Sequence, residues 1–448
     1  MKKLFLMFLS LILFNLNFVV EGKPTKQIKN DFASIIDESG IDKNLIAISI
    51  RDTKSGKVVY SLNDKILMHP ASVQKMLTLP AAIDALGEDY EFKTTLYKKT
   101  DGEYIIKLGA DPYLSSSELK KLAKNLPQET QKVYVDSSIV ELKDWGEGWQ
   151  WDDDMNVLMP RFNAYNLDKN LLKITVMPTQ QGSLATIINS SQYPLVFFNN
   201  VKTGDKNNVK VTRNNAISAN ALTLNGTVNK PVVVTIPVNN LKRNFDIKLM
   251  SILNERKIYM KYNILESTLQ SSDEEIASIS HPISRAIVDV LKNSNNLVSE
   301  TLMKLAGGIH ANDRGSDVYG IRLFKSYCEK LGIDYSKIKL ADASGVSKNN
   351  LLNADFISEF LVKNKDINAY TYLATPGQGT LTHRMLPLKD NLHAKTGSLA
   401  DISSIAGFLT TKKGNDYTFC IIINDPTSTA SDMKSLEDYL IREIYLRL

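Results

Sequence analysis

Apolar positions first cluster at Leu4 to Phe14, a run broken only by Ser10, preceded by Lys2 and Lys3 and ended by Asn15 and Asn17. Further on, Asp31 to Ile36 has the spacing of a short helix. Leu45 to Ile50 alternates as a strand, turns at Lys54-Ser55-Gly56-Lys57 and returns as Val58 to Leu62, which predicts a hairpin. Residues 72–86 are apolar nearly all round (Val73, Met76, Leu77, Leu79, Ala81, Ala82, Ile83, Leu86) and stop at Gly87, so they predict a central buried helix. Pro80 lies inside that helix, removes one backbone donor and is expected to kink or split it.

Between residues 93 and 265 the texture changes to short alternating runs: Lys132 to Val135, Leu172 to Val176, Leu195 to Phe198, Val209 to Thr212, Ala221 to Leu224 and Val232 to Ile236. Asn, Gly and Ser turns separate them, which reads as a strand-rich insertion. Helical spacing returns at Ile283, Ile287, Val290 and Leu291 and again over Leu297 to Leu305. The chain closes with a hairpin, Ile402 to Leu409 and Phe419 to Ile423 around Lys412-Lys413-Gly414-Asn415, and a helix over Met433 to Leu448. The expected organisation is therefore residues 1–22 as a signal peptide, 23–92 plus 266–448 as one discontinuous domain, and 93–265 as inserted strand-rich domain or domains.

Composition changes this picture little. With 448 residues, 43% apolar and 23% charged, the chain can bury a sizeable core. The first apolar run is shorter than the ~20 residues a membrane span needs, so it reads as an export signal cleaved near Gly22, although the usual small-x-small pattern is absent. An uncleaved tether or a loose membrane association is the alternative. Cys328 and Cys420 are open to two readings, one disulfide or two buried thiols. The formal charge of +5 has no basic run interleaved with aromatics behind it, so nucleic acid is not an expected partner.

The five histidines show no metal-ligand spacing and there is no G-x-S-x-G elbow, so no metal or cofactor is expected and a serine served by a lysine becomes the chemistry to look for. On a helix, positions i and i+3 share a face, so Ser-x-x-Lys at a helix start brings a hydroxyl to an amine. Burial lowers the lysine pKa, and the first turn offers free N–H groups for an oxyanion. The pattern occurs at Ser72/Lys75, Ser117/Lys120, Ser336/Lys339 and Ser431/Lys434. Only Ser72 follows Pro70-Ala71 and opens an apolar helix; the other three sit in charged segments. A second constellation, Ser294-Asn295-Asn296, lies between two helices, though Ser-x-Asn also occurs at Ser61, Ser218 and Ser347 and often only caps a helix. A third, Lys395-Thr396-Gly397-Ser398, combines a cation, two hydroxyls for a carboxylate and a glycine that admits a close backbone. Lys202-Thr203-Gly204 repeats the tripeptide in a polar, turn-like setting and is read as a decoy.

Pro70-Ala-Ser72-Val-Gln-Lys75, then Ser294-Asn-Asn296, then Lys395-Thr-Gly397, in that order, resemble the three active-site motifs of penicillin-binding proteins and serine β-lactamases. The 222-residue step from Ser72 to Ser294 resembles the class C low-molecular-mass type, peptidase family S13, which carries inserted domains there. Gly109-Ala-Asp-Pro112, Gly148-Trp-Gln-Trp-Asp-Asp153, Asp342-Ala-Ser-Gly-Val-Ser347 and Gly379-Thr-Leu381 with Arg384 resemble further segments of that family.

The resemblance implies an α/β (α+β) fold with a penicillin-binding/serine β-lactamase-like catalytic domain, an antiparallel sheet flanked by helices. It implies a serine D-Ala-D-Ala carboxypeptidase or endopeptidase acting on peptidoglycan stem peptides ending in D-Ala-D-Ala, acylated covalently by β-lactams and placed in the extracytoplasmic wall space. Ser72 would be the nucleophile and Lys75 its base, with Ser294 and Lys395 relaying a proton to the leaving amine. Asn296 would bind the peptide amide, and Thr396 and Ser398 the terminal carboxylate beside Gly397. The backbone N–H groups of Ser72 and Ser398 would form the oxyanion hole. Asp153 and Lys348 would meet the amine and carboxylate of the stem peptide's third side chain.

Departures from the family pattern are Asn295 for Asp, Lys348 for Arg, Pro80 and Ala343. The competing readings are a serine β-lactamase, against which stand the long insertion and the lack of a matching Glu motif, and a catalytically silent wall-binding scaffold.

Overall fold

The computed structural model describes residues 23–448; the expected signal peptide lies outside the described residues. In chain order the helices are α1 (Lys23–Ser39), α2 (Lys75–Leu86), α3 (Ser116–Ala123), α4 (Leu241–Glu255), α5 (Ile283–Leu291), α6 (Asn296–Ala311), α7 (Asp317–Lys330), α8 (Ala354–Lys363) and α9 (Ala430–Arg447). The strands are β1 (Ile46–Asp52), β2 (Val58–Leu62), β3 (Glu91–Lys98), β4 (Tyr104–Lys107), β5 (Val133–Asp136), β6 (Leu171–Met177), β7 (Thr186–Asn189) and β8 (Val196–Thr203). They continue as β9 (Asn208–Arg213), β10 (Ala221–Val228), β11 (Val232–Pro237), β12 (Leu265–Glu266), β13 (Glu274–Pro282), β14 (Leu392–Leu399), β15 (Ile402–Thr410) and β16 (Asp416–Asn424).

The two ends of the chain build one sheet in the order β14-β15-β16-β1-β2. All its pairings are antiparallel, with Ile48 facing Ile421 and Lys395 facing Ala406. Alternation puts Ile46, Ile48, Ile50, Phe419, Ile421 and Ile423 on one face, where they are covered by Phe32 and Ile36 of α1 and Met433, Leu440 and Ile444 of α9. Ala47, Cys420 and Ile422, on the opposite parity, join the core built around α2, α6 and α8. An antiparallel sheet flanked by helices on both faces is what the resemblance implied.

Residues 93–265 are indeed strand-rich. A mixed sheet in the order β12-β5-β4-β3-β13 is joined by two three-stranded sheets, β8-β10-β9 and β11-β6-β7. The two smaller sheets close on Ile174, Val176, Val201, Leu222, Leu224 and Ile236. Each short run read from the sequence falls on a strand, with Lys132 and Leu195 just ahead of the first strand residue, whereas β3, β13 and the helices α3, α4, α7 and α8 have no counterpart among those readings.

Two expectations are corrected. Pro80 neither splits nor ends α2, which runs from Lys75 to Leu86. The carbonyl that a residue-80 N–H would serve is that of Met76, and the buried Tyr370 hydroxyl donates to it at 2.8 Å. Ser72 lies not in α2 but one turn earlier, in a 3₁₀ segment, Ala71–Gln74, that leads into it. Of the two readings of the cysteines, buried free thiols hold: Cys328 and Cys420 are both unpaired and buried in the same core.

Candidate active site

Three tethers fix the turn that carries Ser72. The Ser404 hydroxyl on β15 donates to Pro70 O at 2.6 Å, Gln74 Nε2 donates to Asp342 O at 2.6 Å, and Thr78 Oγ1 donates to Ala343 O at 2.8 Å. Ala71 has φ +47°, an uncommon backbone for alanine that these contacts hold in place. Gly345, at φ +82°, passes so close that a β-carbon there would sit 2.0 Å from Ala71 O. At Gly397 a β-carbon would lie 2.8 Å from Ser72 N and 2.3 Å from Ser404 Oγ, so glycine is what lets β14 approach the serine backbone.

Lys75 is fully buried, with Nζ 2.9 Å from Ser72 Oγ, 2.7 Å from Asn296 Oδ1 and 2.6 Å from Ser344 O. Two of those oxygens can only accept. A neutral amine has two hydrogens, so donating both to Asn296 and Ser344 leaves its lone pair for the third neighbour, the Ser72 hydroxyl. Burial supplies the neutral form, bringing the Lys75 pKa down to about 7 against the opposing pull of Asp342 and Glu300. Asp342 is occupied by Trp149 Nε1 (2.9 Å), Gly345 N (2.8 Å), Ser347 N (2.7 Å) and Asn350 Nδ2 (2.7 Å). Glu300 is pushed well above the usual carboxylate range by burial, with the Asp342 charge adding to the effect.

The second constellation meets the first. Ser294, at φ +61°, presents Oγ to Lys395 Nζ at 2.9 Å, while Lys395 also donates to Thr396 O at 2.6 Å. Asn295 borders the cleft as well, and its side chain caps α6 by accepting from Val298 N. Asp and Asn serve equally as N-caps, which accounts for this departure from the family pattern. Asn296 is held between Lys75 and Leu158 O, to which its Nδ2 donates at 2.8 Å. Burial, and then the nearby Lys75, lower the pKa of Lys395 well below that of a free lysine.

β14 is a sheet edge, and its Ala394 N–H points off the sheet to Ala374 O at 2.9 Å. Alternation sends the N–H groups of Thr396 and Ser398 the same way, towards the turn of Ser72. The Ser72 N–H, in the first turn of its segment, belongs to the donors that a helix start leaves unpaired.

Ser72, Ser294, Asn296, Thr396 and Ser398 line one cleft of about 530 Å³, with Lys75, Lys395 and Gly397 buried behind them. Asp153 and Lys348 are not in that lining. Lys348 is half exposed, 3.9 Å from Asp401 near the end of β14, and its charge partly offsets the burial that raises the Asp153 pKa. The sequence reading missed Leu158, Ser344 and Ser404, whose contributions are a backbone carbonyl or a lone hydroxyl with no motif. It also missed Lys169 and Lys434, cations in the cleft wall. The serines of the other Ser-x-x-Lys matches, Ser117, Ser336 and Ser431, are exposed, and Lys202 is exposed on β8. Ala343 accepts Thr78 and Ser299 hydroxyls through its carbonyl and has an ordinary, not left-handed, backbone, so its methyl is tolerated. Among the described residues no group of three or more His, Cys, Asp or Glu side chains is placed to hold a metal.

A buried lysine bonded to a serine at a helix start, and a second serine–lysine pair across the cleft, define a serine acyl-transfer hydrolase. Residues 28–442 match the D-Ala-D-Ala carboxypeptidase 3 (S13) family, and the chain belongs to it. It is similar to the D-alanyl-D-alanine carboxypeptidase DacB of Haemophilus influenzae, 25% identical over 84% of each chain. It is also similar to the D-alanyl-D-alanine carboxypeptidase of Actinomadura sp. strain R39, 22% identical over 91% of this chain and 83% of that one. The fold is shared with the crystal structure of penicillin binding protein 4 (dacB) from Haemophilus influenzae, with a TM-score of 0.82 and 23% identity over 93% of this chain and 99% of that one. The chain is thus a serine carboxypeptidase of the D-Ala-D-Ala type.

Proposed function

We propose that Ser72 attacks the carbonyl between the two terminal D-alanines of a peptidoglycan stem peptide, with Lys75 taking its proton. The single observation that carries this is the buried Lys75 amine, 2.9 Å from Ser72 Oγ, with its other two contacts on pure acceptors. The N–H groups of Ser72 and Ser398 hold the developing oxyanion, each worth about 3 kcal/mol. Ser294, paired with Lys395, passes a proton to the leaving amine as the C–N bond breaks; water then hydrolyses the ester at Ser72. Asn296 binds the peptide amide, and Thr396 and Ser398 hold the terminal carboxylate beside Gly397. Asp153 and Lys348, outside the cleft lining, meet the side chain of the third stem residue at the rim.

We also take residues 93–265 as an insertion in a unit made of 23–92 and 266–448. A sheet whose strands come only from the two chain ends supports this, and β12 and β13 complete the insertion's sheet from beyond residue 265. The charged start and apolar run of residues 1–22 support export to the wall space with cleavage near Gly22. Among the described residues no helix is long and apolar enough to cross a membrane.

The test is labelling with a fluorescent penicillin followed by peptide mapping. A covalent adduct on Ser72 that is absent from Ser72→Ala is expected; equal labelling of the variant would sink the assignment.

A further inference from the structure

A second cavity, of about 310 Å³, opens beside the Trp-rich segment and shares no lining residue with the Ser72 cleft. Trp145, Trp151, Asp154 and Arg161 line it from that segment, and Arg213 and Asn215, at and just past the end of β9, line it from the inserted sheets. Trp151 is 82% exposed, the most exposed large apolar side chain among the described residues, so its indole is free to meet a ligand. Trp145 is fixed instead. Its Nε1 donates to Trp149 O at 3.3 Å, and its ring meets that of Trp149 edge-on with centroids 5.1 Å apart.

The polar groups suit a neutral ligand. Arg161 Nη1 donates to Asp144 Oδ1 at 2.7 Å, and Arg213 Nε lies 3.0 Å from Asp154 Oδ2. Each guanidinium thus has its own carboxylate, and the cavity offers no spare charge to an ion. Arg213 is a fixture of the wall: its side chain is 3% exposed, and it donates to Ala219 O and, through Nη2 at 2.8 Å, to Pro237 O. What remains is hydrogen-bonding capacity. Asn215 Nδ2 donates to Asp154 Oδ2 at 3.1 Å, so both contacts of that carboxylate use the same oxygen. Among the described residues Asp154 Oδ1 and Asn215 Oδ1 are left as acceptors, and Arg161 Nε and Nη2 as donors. Aromatic faces beside carboxylate, amide and guanidinium groups match a sugar ring, which presents a face of C–H bonds and a rim of hydroxyls.

The cavity is continuous with the cleft along the chain. Val157, Leu158 and Pro160 line the cleft, while Trp151, Asp154 and Arg161 of the same stretch line the cavity. Leu158 O holds Asn296 Nδ2 at 2.8 Å, and Trp149 Nε1 holds Asp342 Oδ2 at 2.9 Å, so the stretch is anchored to the catalytic groups. Asp153, proposed above to meet the third stem residue, lies between Trp151 and Asp154 in one 3₁₀ segment, Trp151–Met155. A stem peptide that passes Asp153 on its way from the scissile carbonyl to its sugar end is therefore directed at this cavity.

We infer that the cavity is a saccharide subsite, taking an N-acetylated amino sugar of the glycan strand that carries the stem peptide. The indoles take the C–H face of the ring and the acetamido methyl. Asp154 Oδ1 and Asn215 Oδ1 accept from its hydroxyls, and Arg161 donates to the acetamido carbonyl. The volume is at the small end of ligand pockets, which suits one ring rather than a chain. The link to a stem peptide rests on the Ser72 reading; the affinity for the sugar does not.

Two measurements on the full chain test this. In the first, chitotetraose, a tetramer of N-acetylglucosamine, is titrated by calorimetry into the parent, Trp151→Ala, and Ala219→Trp, which fills the cavity from its other wall. Binding should weaken about tenfold in either variant, and cellotetraose, which lacks the acetamido group, should bind the parent about tenfold more weakly than chitotetraose. In the second, kcat/KM is compared for a pentapeptide and for the same pentapeptide attached to its disaccharide. The parent should prefer the glycosylated substrate about tenfold, through KM because the sugar lies away from the reacting bond, and both variants should lose that preference while cleaving the bare pentapeptide as the parent does. No chitotetraose binding, equal binding of cellotetraose, no preference in the parent, or a preference that survives in both variants overturns the inference. Penicillin labelling separates the two readings: a labelled Ser72 without sugar binding refutes only the subsite, whereas sugar binding without an adduct refutes only the Ser72 chemistry.

Discussion

The pKa of Lys75, about 7, makes a quantitative statement about rate against pH. The folded value lies below that of a free lysine, so the neutral, proton-accepting form grows as pH rises through it. About half of the molecules hold the free base at pH 7, about one tenth at pH 6 and about nine tenths at pH 8. A lysine left in water would be neutral in roughly one molecule in 2,500 at pH 7, so burial raises base availability about a thousandfold. The second-order rate of acylation by a chromogenic β-lactam, followed by stopped flow from pH 5 to 9, should therefore climb about tenfold between pH 6 and 8 with its midpoint near 7. Lys75→Arg keeps the charge and cannot give it up, so it should lose about 10² to 10⁴ in rate. A parent profile flat across this range, or a midpoint above 9, would refute a neutral Lys75 as the base.

Three further outcomes are expected. Gly397→Ala forces a methyl against Ser72 N and Ser404 Oγ, displacing one wall of the oxyanion hole; acylation should fall about 10²-fold while thermal denaturation shows the protein still folded. Tyr370→Phe leaves the buried Met76 carbonyl without its donor and should cost about 1–3 kcal/mol in urea unfolding. In a Pro80→Ala background the restored N–H should remove most of that cost, and an equal loss in both backgrounds would refute the pairing. Asn295→Asp should preserve both stability and acylation, because aspartate accepts the α6 N-cap bond as asparagine does, whereas Asn295→Ala should lose about 1 kcal/mol.

The site was legible because its chemistry lies in short stretches of side chains. Ser72 and Lys75 share one helix start, Lys395 to Ser398 occupy one strand, and each segment carries its functional groups within four residues. The order of the segments then separates them from three look-alike Ser-x-x-Lys pairs. The hairpins at both chain ends were legible for a similar reason: period-two alternation in β1, β2, β15 and β16 is local. What stayed hidden is made by contact. α7 is buried on one face only and carries a mixed polar sequence, so its apolar spacing is weak, and α8 is a ten-residue segment whose short apolar run does not by itself distinguish helix from strand. β3 and β13 exist as a pair, an antiparallel ladder running from Lys98 and Glu274 to Glu91 and Pro282, so each is stabilised by a partner strand from far along the chain rather than by its own alternation.

Pro80 shows why such contacts escape a sequence reading. The rule that proline breaks a helix concerns one lost hydrogen bond and one carbonyl left without a donor. In this chain the donor comes from Tyr370, 290 positions further on, in a 3₁₀ segment (Asn368–Tyr372) with no mark of its own. The compensation matters to the site because Met76 follows Lys75 directly, so the hydroxyl that repairs the helix also steadies the turn from which the base projects. A tyrosine that reads as ordinary core thus bonds the residue next to Lys75, and the unbroken α2 is the consequence.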